Sequence, residues 1–178
     1  MLTLTLLACS ADYPVASVTS ESDAPVAVAS ELAAYVVEDP ASGEGDGAGW
    51  LVMSEAELDC AAIRAFPEAT RDEDWLLYNG VGLAIYLAFD TVDDSATYLD
   101  WEETYWGGEA HSPSGTRWMD AWAYTDGQRF ALDGGWFLVE RRRVDDFEGS
   151  FAVPWYAGNV QATHCGGWDD GVLDTGAP

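Results

Sequence analysis

Hydrophobic and polar residues alternate with a period of two from residue 147 to residue 155. One face of this segment carries Phe147, Gly149, Phe151, Val153 and Trp155, and the other carries Glu148, Ser150, Ala152 and Pro154. This alternation is typical of a β-strand with one buried face. Because proline has no amide donor for a sheet ladder, Pro154 predicts that this strand lies at the edge of the sheet or has a bulge at that position.

Other short apolar segments are separated by turn-forming residues. The predicted strands cover 32–37, 50–53, 81–89, 119–124, 129–132, 136–142 and 160–165, and a further segment, 75–78, is predicted to form a hairpin with 81–89. The turn signals are Asn79-Gly80, Asp126-Gly127, Gly134-Gly135 and Gly158-Asn159. Strands at such regular spacing favour a mainly β fold. We therefore expect a single antiparallel β-sandwich or barrel-like domain with one short helix.

The one clear helical signal follows the second apolar segment. Ser54 to Glu57 matches a capping box, and the next apolar residues recur at helical spacing, at Leu58, Ala61, Ala62, Ala65 and Phe66. Pro67 is expected to end this helix. Cys60 lies on the helix, away from its main apolar face.

The first nine residues resemble a targeting signal. Residues 1–8 are mostly apolar and end in small residues, as in a secretory signal peptide that is either unusually short or truncated. The stretch Leu6-Leu7-Ala8-Cys9 resembles a bacterial lipobox, which implies a lipid on Cys9. Residues 9–30 are rich in Ser, Ala, Asp and Pro and are predicted to form a disordered linker. The predicted β-rich domain then covers 31–167, and 168–178 is an acidic disordered tail.

The two ends of this domain also resemble a known class of protein. The segments WLVMSEAELDC and FEGSFAVPWYAGNVQATHC are similar to those of small secreted β-rich bacterial lipoproteins of unknown function. The resemblance covers residues 50–165 as a loose pattern and is interrupted by a Trp-rich insert near 98–122. It implies a fold and a location at the bacterial outer membrane or cell surface, and it implies no activity.

The charge of the chain limits its partners. There are 32 Asp and Glu residues against seven basic residues, all of them Arg, so the formal net charge is -25. Such a surface repels nucleic acid and anionic lipid headgroups. It attracts cations or a basic protein, although solubility through self-repulsion is the simpler explanation of the charge.

Two cysteines remain if Cys9 is lipidated. Cys60 and Cys165 lie 105 residues apart, and two thiols in an oxidising compartment can pair. A metal site would need further ligands at close spacing, and only His164 is adjacent. A CxxC redox motif is absent. We therefore predict a Cys60–Cys165 disulfide that joins the last strand to the early part of the domain.

The Trp-rich insert is the best candidate for a ligand surface. Aromatic rings can stack on the apolar face of a sugar while carboxylates accept its hydroxyl donors, and the insert has both. The candidate residues are Trp101, Tyr105, Trp106, Trp118, Trp122, Glu102, Glu103 and Asp120. The stretch between Trp106 and Trp118 is expected to project as the loop of a hairpin, with at least two of the rings partly exposed. The alternative is that the rings fill the core of a small sheet.

No catalytic residues are predicted, and neither is a metal site with defined ligands. The acid-rich stretch at Asp93-Asp94 leaves Ca²⁺ possible as the one cofactor, but EF-hand spacing is absent. His111 and His164 are the only histidines, and Ser112 and Ser114 lack a nucleophile-elbow motif. The sequence thus predicts a non-enzymatic, lipid-anchored surface module that is structural or binds a protein. The alternative is a module that binds carbohydrate or Ca²⁺.

Overall fold

The computed structural model describes residues 15–38, 46–71, 80–90, 103–107, 118–125, 127–142 and 147–165. Within these ranges, ten strands and one helix follow each other along the chain. They are β1 (Val15–Ser20), β2 (Glu31–Glu38), β3 (Asp46–Ser54), α1 (Cys60–Arg71), β4 (Val81–Asp90), β5 (Glu103–Gly107), β6 (Trp118–Thr125), β7 (Gln128–Ala131), β8 (Trp136–Arg142), β9 (Phe147–Val153) and β10 (Tyr156–His164).

The strand pairings form a closed circuit, so the sheet is barrel-like. The order around the circuit is β1-β2-β3-β4-β6-β5-β8-β9-β10, and β10 pairs again with β1. Strand β7 extends the sheet beyond β6 as a hairpin. Neighbours are antiparallel except for two short parallel pairings, β5 with β6 and β2 with β10. The prediction of a mainly β, antiparallel, barrel-like domain with one short helix is confirmed.

The interior of the barrel is filled by apolar side chains from alternate positions. The largest fully buried side chains are Phe137, Phe147 and Phe151, and the ring of Phe137 lies 5.8 Å from that of Phe147 and 6.4 Å from that of Phe151, centroid to centroid. On β9 the alternation is strict, as the sequence predicted: buried residues at 147, 149, 151 and 153 are separated by half-buried ones. One face of this part of the sheet therefore faces the core and the other faces solvent.

Strands β2 and β3 are buried on both faces. Leu32, Ala34 and Val36 point into the barrel, whereas Tyr35 and Val37 belong to a second apolar cluster on the outside. We call this second group the outer cluster; it comprises Tyr35, Val37, Trp50, Val52, Ile63, Ala84, Tyr124 and Cys165. Burial on both faces explains why the sequence of β2 is a continuous apolar run.

Helix α1 packs on the outer cluster through Ile63, which is fully buried. The helix begins at Cys60 because Asp59 caps it: the Asp59 carboxylate accepts a hydrogen bond of 2.7 Å from the amide of Ala62. The predicted capping box at Ser54 is wrong, since Ser54 is the last residue of β3 and pairs with Gly82. The predicted end at Pro67 is also wrong, because the helix continues to Arg71.

The disulfide between Cys60 and Cys165 is present, with the two Cα atoms 5.0 Å apart. It joins the first residue of α1 to the residue that follows β10. The amide of Cys165 donates to the carbonyl of Val36 at 2.8 Å, and Arg64 donates to the Cys165 carbonyl. The end of β10 is therefore fixed to both the helix and the sheet.

Residues 15–30 belong to the folded domain, so the predicted linker over 9–30 is wrong from residue 15 onward. Strand β1 pairs with β10 and β2, and its residues Ala16 and Val18 are buried in the barrel. Val26 is buried as well. Its backbone is fixed to β10 by the Tyr156 hydroxyl, which donates to the Val26 carbonyl at 2.8 Å and accepts from the Val26 amide at 3.1 Å. Burial raises the pKa of Tyr156 above its usual value, and the hydrogen bond with Val26 opposes that shift.

The turn before β10 also differs from the expectation. It lies at Pro154 and Trp155, where Trp155 has a φ of 66°, and not at Gly158-Asn159. Gly158 lies within β10, where it is the register partner of Val18 on β1. A Cβ at this position would lie 2.1 Å from the carbonyl oxygen of Ser17, so the close approach of β1 requires a glycine here. The turns at Gly127 and at Gly134-Gly135 lie where they were predicted. The prediction from Pro154 is wrong: β9 pairs with both β8 and β10, so it is not an edge strand, and Pro154 follows its last residue and lies in the turn.

We expect Gly158→Ala to lower the free energy of unfolding by about 1–3 kcal/mol, because the new methyl group would push β1 away from β10. Urea unfolding followed by tryptophan fluorescence measures the loss. Asn159→Ala, an exposed neighbour on the same strand, is the control and should unfold like the wild type. A Gly158→Ala variant of unchanged stability would contradict the close β1–β10 pairing.

Candidate functional site

Strand β6 carries the predicted ligand residues that the structure describes in full. Trp118, Asp120 and Trp122 alternate with the interior residues Met119 and Ala121, so they share the outward face of the strand. Asp120 is exposed, and the two tryptophans are half-buried. With a rise of about 3.3 Å per residue, the two tryptophan positions lie about 13 Å apart along the strand.

Two neighbouring strands add further rings to this face. Tyr86 on β4 is the register partner of Asp120, and Trp50 on β3 is the register partner of Tyr86. The ring centroids of Tyr86 and Trp118 are 5.3 Å apart, those of Trp50 and Tyr86 4.9 Å, and those of Trp50 and Trp122 5.4 Å. We call Trp50, Tyr86, Trp118, Asp120 and Trp122 the aromatic strip.

The aromatic strip is partly core and partly surface. Trp50 is only 6% exposed and belongs to the outer cluster, against which Tyr86 and Trp122 pack. Tyr86, Trp118 and Trp122 retain exposed area. Trp50 contacts Tyr86 and Trp122, and Tyr86 contacts Trp118, so packing restricts the rotation of the exposed rings. The expectation that at least two of the candidate rings are partly exposed on one face agrees with the positions of Trp118 and Trp122.

The remaining candidate residues fall on or before β5. Glu103, Tyr105 and Trp106 lie on this strand, where the structure describes the backbone but not their side chains. Trp106 is the register partner of both Trp118 on β6 and Trp136 on β8. Trp101, Glu102 and the acid-rich pair Asp93-Asp94 lie outside the described residues, as do Cys9, His111, Ser112 and Ser114.

The expected hairpin between Trp106 and Trp118 is wrong. Strands β5 and β6 run parallel at these two residues, and the main partner of β5 is the antiparallel β8. Two parallel neighbours cannot be joined by a tight hairpin. Trp106 and Trp118 are nevertheless register partners, so the two tryptophan positions lie side by side although the hairpin expected to bring them together is not formed.

Sequence reasoning missed Tyr86 and Trp50. Both lie in apolar runs that predict buried strands, and nothing local distinguishes them from core residues. Their place beside Trp118 depends on the register of β3, β4 and β6, which only the folded sheet defines.

Neither a metal centre nor a membrane-spanning helix is found in the described residues. No group of three or more His, Cys, Asp or Glu side chains in those ranges is placed to hold a metal ion. No helix there is long and apolar enough to cross a bilayer.

The fold and the aromatic strip together define a barrel-like β-domain with an aromatic outer face. Searches of protein-family models, of curated proteins and of solved structures found no match to the chain.

Proposed function

We propose that the protein is an exported, lipid-anchored binding module that binds neutral carbohydrate on the aromatic strip. The observation that carries this proposal is the single outward face on which the half-exposed rings of Trp118, Tyr86 and Trp122 share a face with the exposed carboxylate of Asp120. Trp118 contacts Tyr86, and the buried ring of Trp50 links Tyr86 to Trp122. Rigid rings offer a large amphipathic surface without the entropic cost of ordering flexible side chains. The proposal involves binding and no catalysis.

The chemistry of the strip favours a sugar. The C–H face of a pyranose ring can pack on Trp118 or Trp122, and hydroxyl groups between those positions can donate to Asp120. The separation of about 13 Å between the two tryptophan positions suits an extended chain of sugars rather than a single unit. The net charge of -25 disfavours anionic polysaccharides and leaves neutral ones as the better ligands.

The anchor in this proposal is a lipid on Cys9, supported by the lipobox-like stretch that ends there. Cys9 precedes Val15, the first residue of β1, by six positions. A fully extended chain of that length spans about 20 Å. A lipid on Cys9 would therefore hold the barrel close to the membrane surface, because the folded domain begins at Val15 and not at residue 31.

The carbohydrate proposal predicts a specific loss on removal of the exposed rings. The full chain carrying Cys9→Ser is screened on a glycan array, and the best neutral oligosaccharide is titrated by calorimetry. We expect the additional changes Trp118→Ala and Trp122→Ala to weaken binding at least about tenfold. Trp118→Phe with Trp122→Phe keeps an aromatic face and should retain most of the affinity.

The matched control is Asn159→Ala with Gln161→Ala, two exposed positions on β10 outside the strip. This variant should bind as the wild type does, and circular dichroism should show that all variants are folded. Three results would count against the proposal: no binding to any neutral glycan, equal binding by the alanine variant, or unfolding of the alanine variant, which would assign the rings to the core.

If Cys9 carries a lipid, the wild-type chain should partition into the detergent phase and incorporate labelled fatty acid. The test expresses the chain in a bacterium that processes lipoproteins. Cys9→Ser should move the protein to the aqueous phase and remove the label. Cys60→Ser with Cys165→Ser is the control, because it removes two thiols and leaves Cys9. Equal detergent partitioning of Cys9→Ser and wild type would rule out the lipid.

A further inference from the structure

A groove of about 360 Å³ lies on the outer surface of the barrel, on the side of α1. Its apolar lining comes from the start of β1, from β2 and from the connection between β3 and α1, through Val15, Ala33, Tyr35 and Leu58. Val15 is 36% exposed and is the most exposed large hydrophobic residue among those that the structure describes. A groove of this size accommodates one or two large side chains.

Three exposed carboxylates, Glu31, Glu55 and Glu57, line the same groove. One oxygen of Glu55 accepts a hydrogen bond of 2.8 Å from the amide of Ala29, so this side chain is held in place. Glu31 and Glu57 are the two carboxylates of the groove best placed to meet a ligand.

The groove is formed before any ligand arrives. The Tyr35 hydroxyl accepts a hydrogen bond of 3.1 Å from the amide of Leu58, which fixes the β3–α1 connection against β2. The amide of Glu55 donates to the carbonyl of Val81 at 2.9 Å, which ties the same connection to β4. Because both walls are already ordered, binding there avoids most of the entropic cost of ordering a loop.

We propose that this groove docks a short basic and amphipathic segment of a partner protein. An apolar side chain of the segment contacts Val15 and Leu58, and Lys or Arg side chains beside it meet Glu31 and Glu57. The argument is charge complementarity: an apolar groove that is also lined by exposed carboxylates selects a ligand that carries both apolar and cationic side chains.

Other occupants fit the groove less well. A second copy of the chain also has a net charge of -25, so two copies repel each other. A neutral sugar would leave the carboxylates without cationic partners. Because few residues line the groove, the expected affinity for the segment is modest. Because the carboxylates are exposed, their ion pairs with the segment are screened, and the affinity should fall as salt is added.

The test uses the full chain with Cys9→Ser and three short synthetic peptides that differ only in composition. One peptide contains Lys and Leu, a second has each Leu replaced by Ser, and a third has each Lys replaced by Glu. Fluorescence anisotropy at low and at physiological ionic strength gives the affinities. We expect only the Lys/Leu peptide to bind at physiological ionic strength.

The groove is then tested with paired variants. Glu31→Gln with Glu57→Gln should weaken binding of the Lys/Leu peptide about two- to tenfold and reduce its dependence on salt. Glu21→Gln with Glu140→Gln makes the same change in net charge at exposed sites outside the groove and should have little effect. Val15→Thr keeps the branched shape of the strand residue and should weaken binding about threefold.

Four results would overturn the docking proposal. They are equal binding by the Lys/Leu and Lys/Ser peptides, equal effects of the two glutamine pairs, no binding at all, and concentration-dependent self-association that Val15→Thr removes. The last result would identify a second copy as the occupant. The Trp118→Ala and Trp122→Ala changes should leave peptide binding unchanged, so this proposal and the carbohydrate proposal fail independently.

Discussion

Reduction of the Cys60–Cys165 disulfide is expected to lower the free energy of unfolding by about 3–5 kcal/mol. The bond closes a loop across 105 positions, and in the chain-entropy model a loop of that size restricts the unfolded chain strongly. The bond also holds α1 against the outer cluster, where Cys165 is 1% exposed and Ile63 is fully buried. Its loss should therefore loosen the helix before the barrel.

This effect is measured by urea unfolding of the wild-type chain with and without a dithiol reductant, which leaves every side chain in place apart from the bond. Cys60→Ala with Cys165→Ala should show a loss at least as large, since it also removes packing at Cys165. Cys9→Ser is the control and should unfold like the oxidised wild type. Identical unfolding midpoints for the oxidised and reduced chains would contradict the expected contribution.

Phe137→Ala is expected to lower the free energy of unfolding by about 3–5 kcal/mol, the usual cost of removing a fully buried ring. Phe137 is inaccessible to solvent and lies at the centre of the barrel interior, with Phe147 and Phe151 on either side. Both neighbours are themselves fixed in strand β9, so they cannot collapse into the space that the ring leaves. Much of the cost is therefore the cavity itself.

Thermal and urea unfolding measure this loss, and Phe130→Ala is the matched control. Phe130 on β7 is only partly buried and packs at the margin of the same core, so the same substitution there should cost less than half as much. Equal losses at the two positions would show that the interior is less tightly packed around Phe137 than its burial indicates.

The local pattern predicted the strands best where one face is solvated. On β9 the buried and half-buried residues alternate as the sequence does, because the two-residue period follows from strand geometry alone. The turns at Gly127 and Gly134-Gly135 were also predicted, since positive φ values favour glycine. The Cys60–Cys165 bond followed from the number of cysteines and an assumed oxidising compartment, without any knowledge of the fold.

Local patterns were misleading where a distant strand defines the environment. Strand β1 is rich in serine and small residues, so its composition resembled a linker, yet Ala16 and Val18 face the barrel interior. Gly158 resembled a turn residue, but it is a strand glycine that leaves room for the backbone of Ser17. In both cases the deciding contact lies more than 130 positions away in sequence, at the β1–β10 pairing.

The sequence by itself determined the class of fold and the disulfide, because these follow from periodicity and counting. Only the tertiary structure decided which rings meet. Trp50, Tyr86 and Trp118 lie on three strands, and their contacts depend on the register of β3, β4 and β6. A shift of one residue in any of these strands would turn its ring to the opposite face, so the aromatic strip is a property of the strand pairing and not of any one segment.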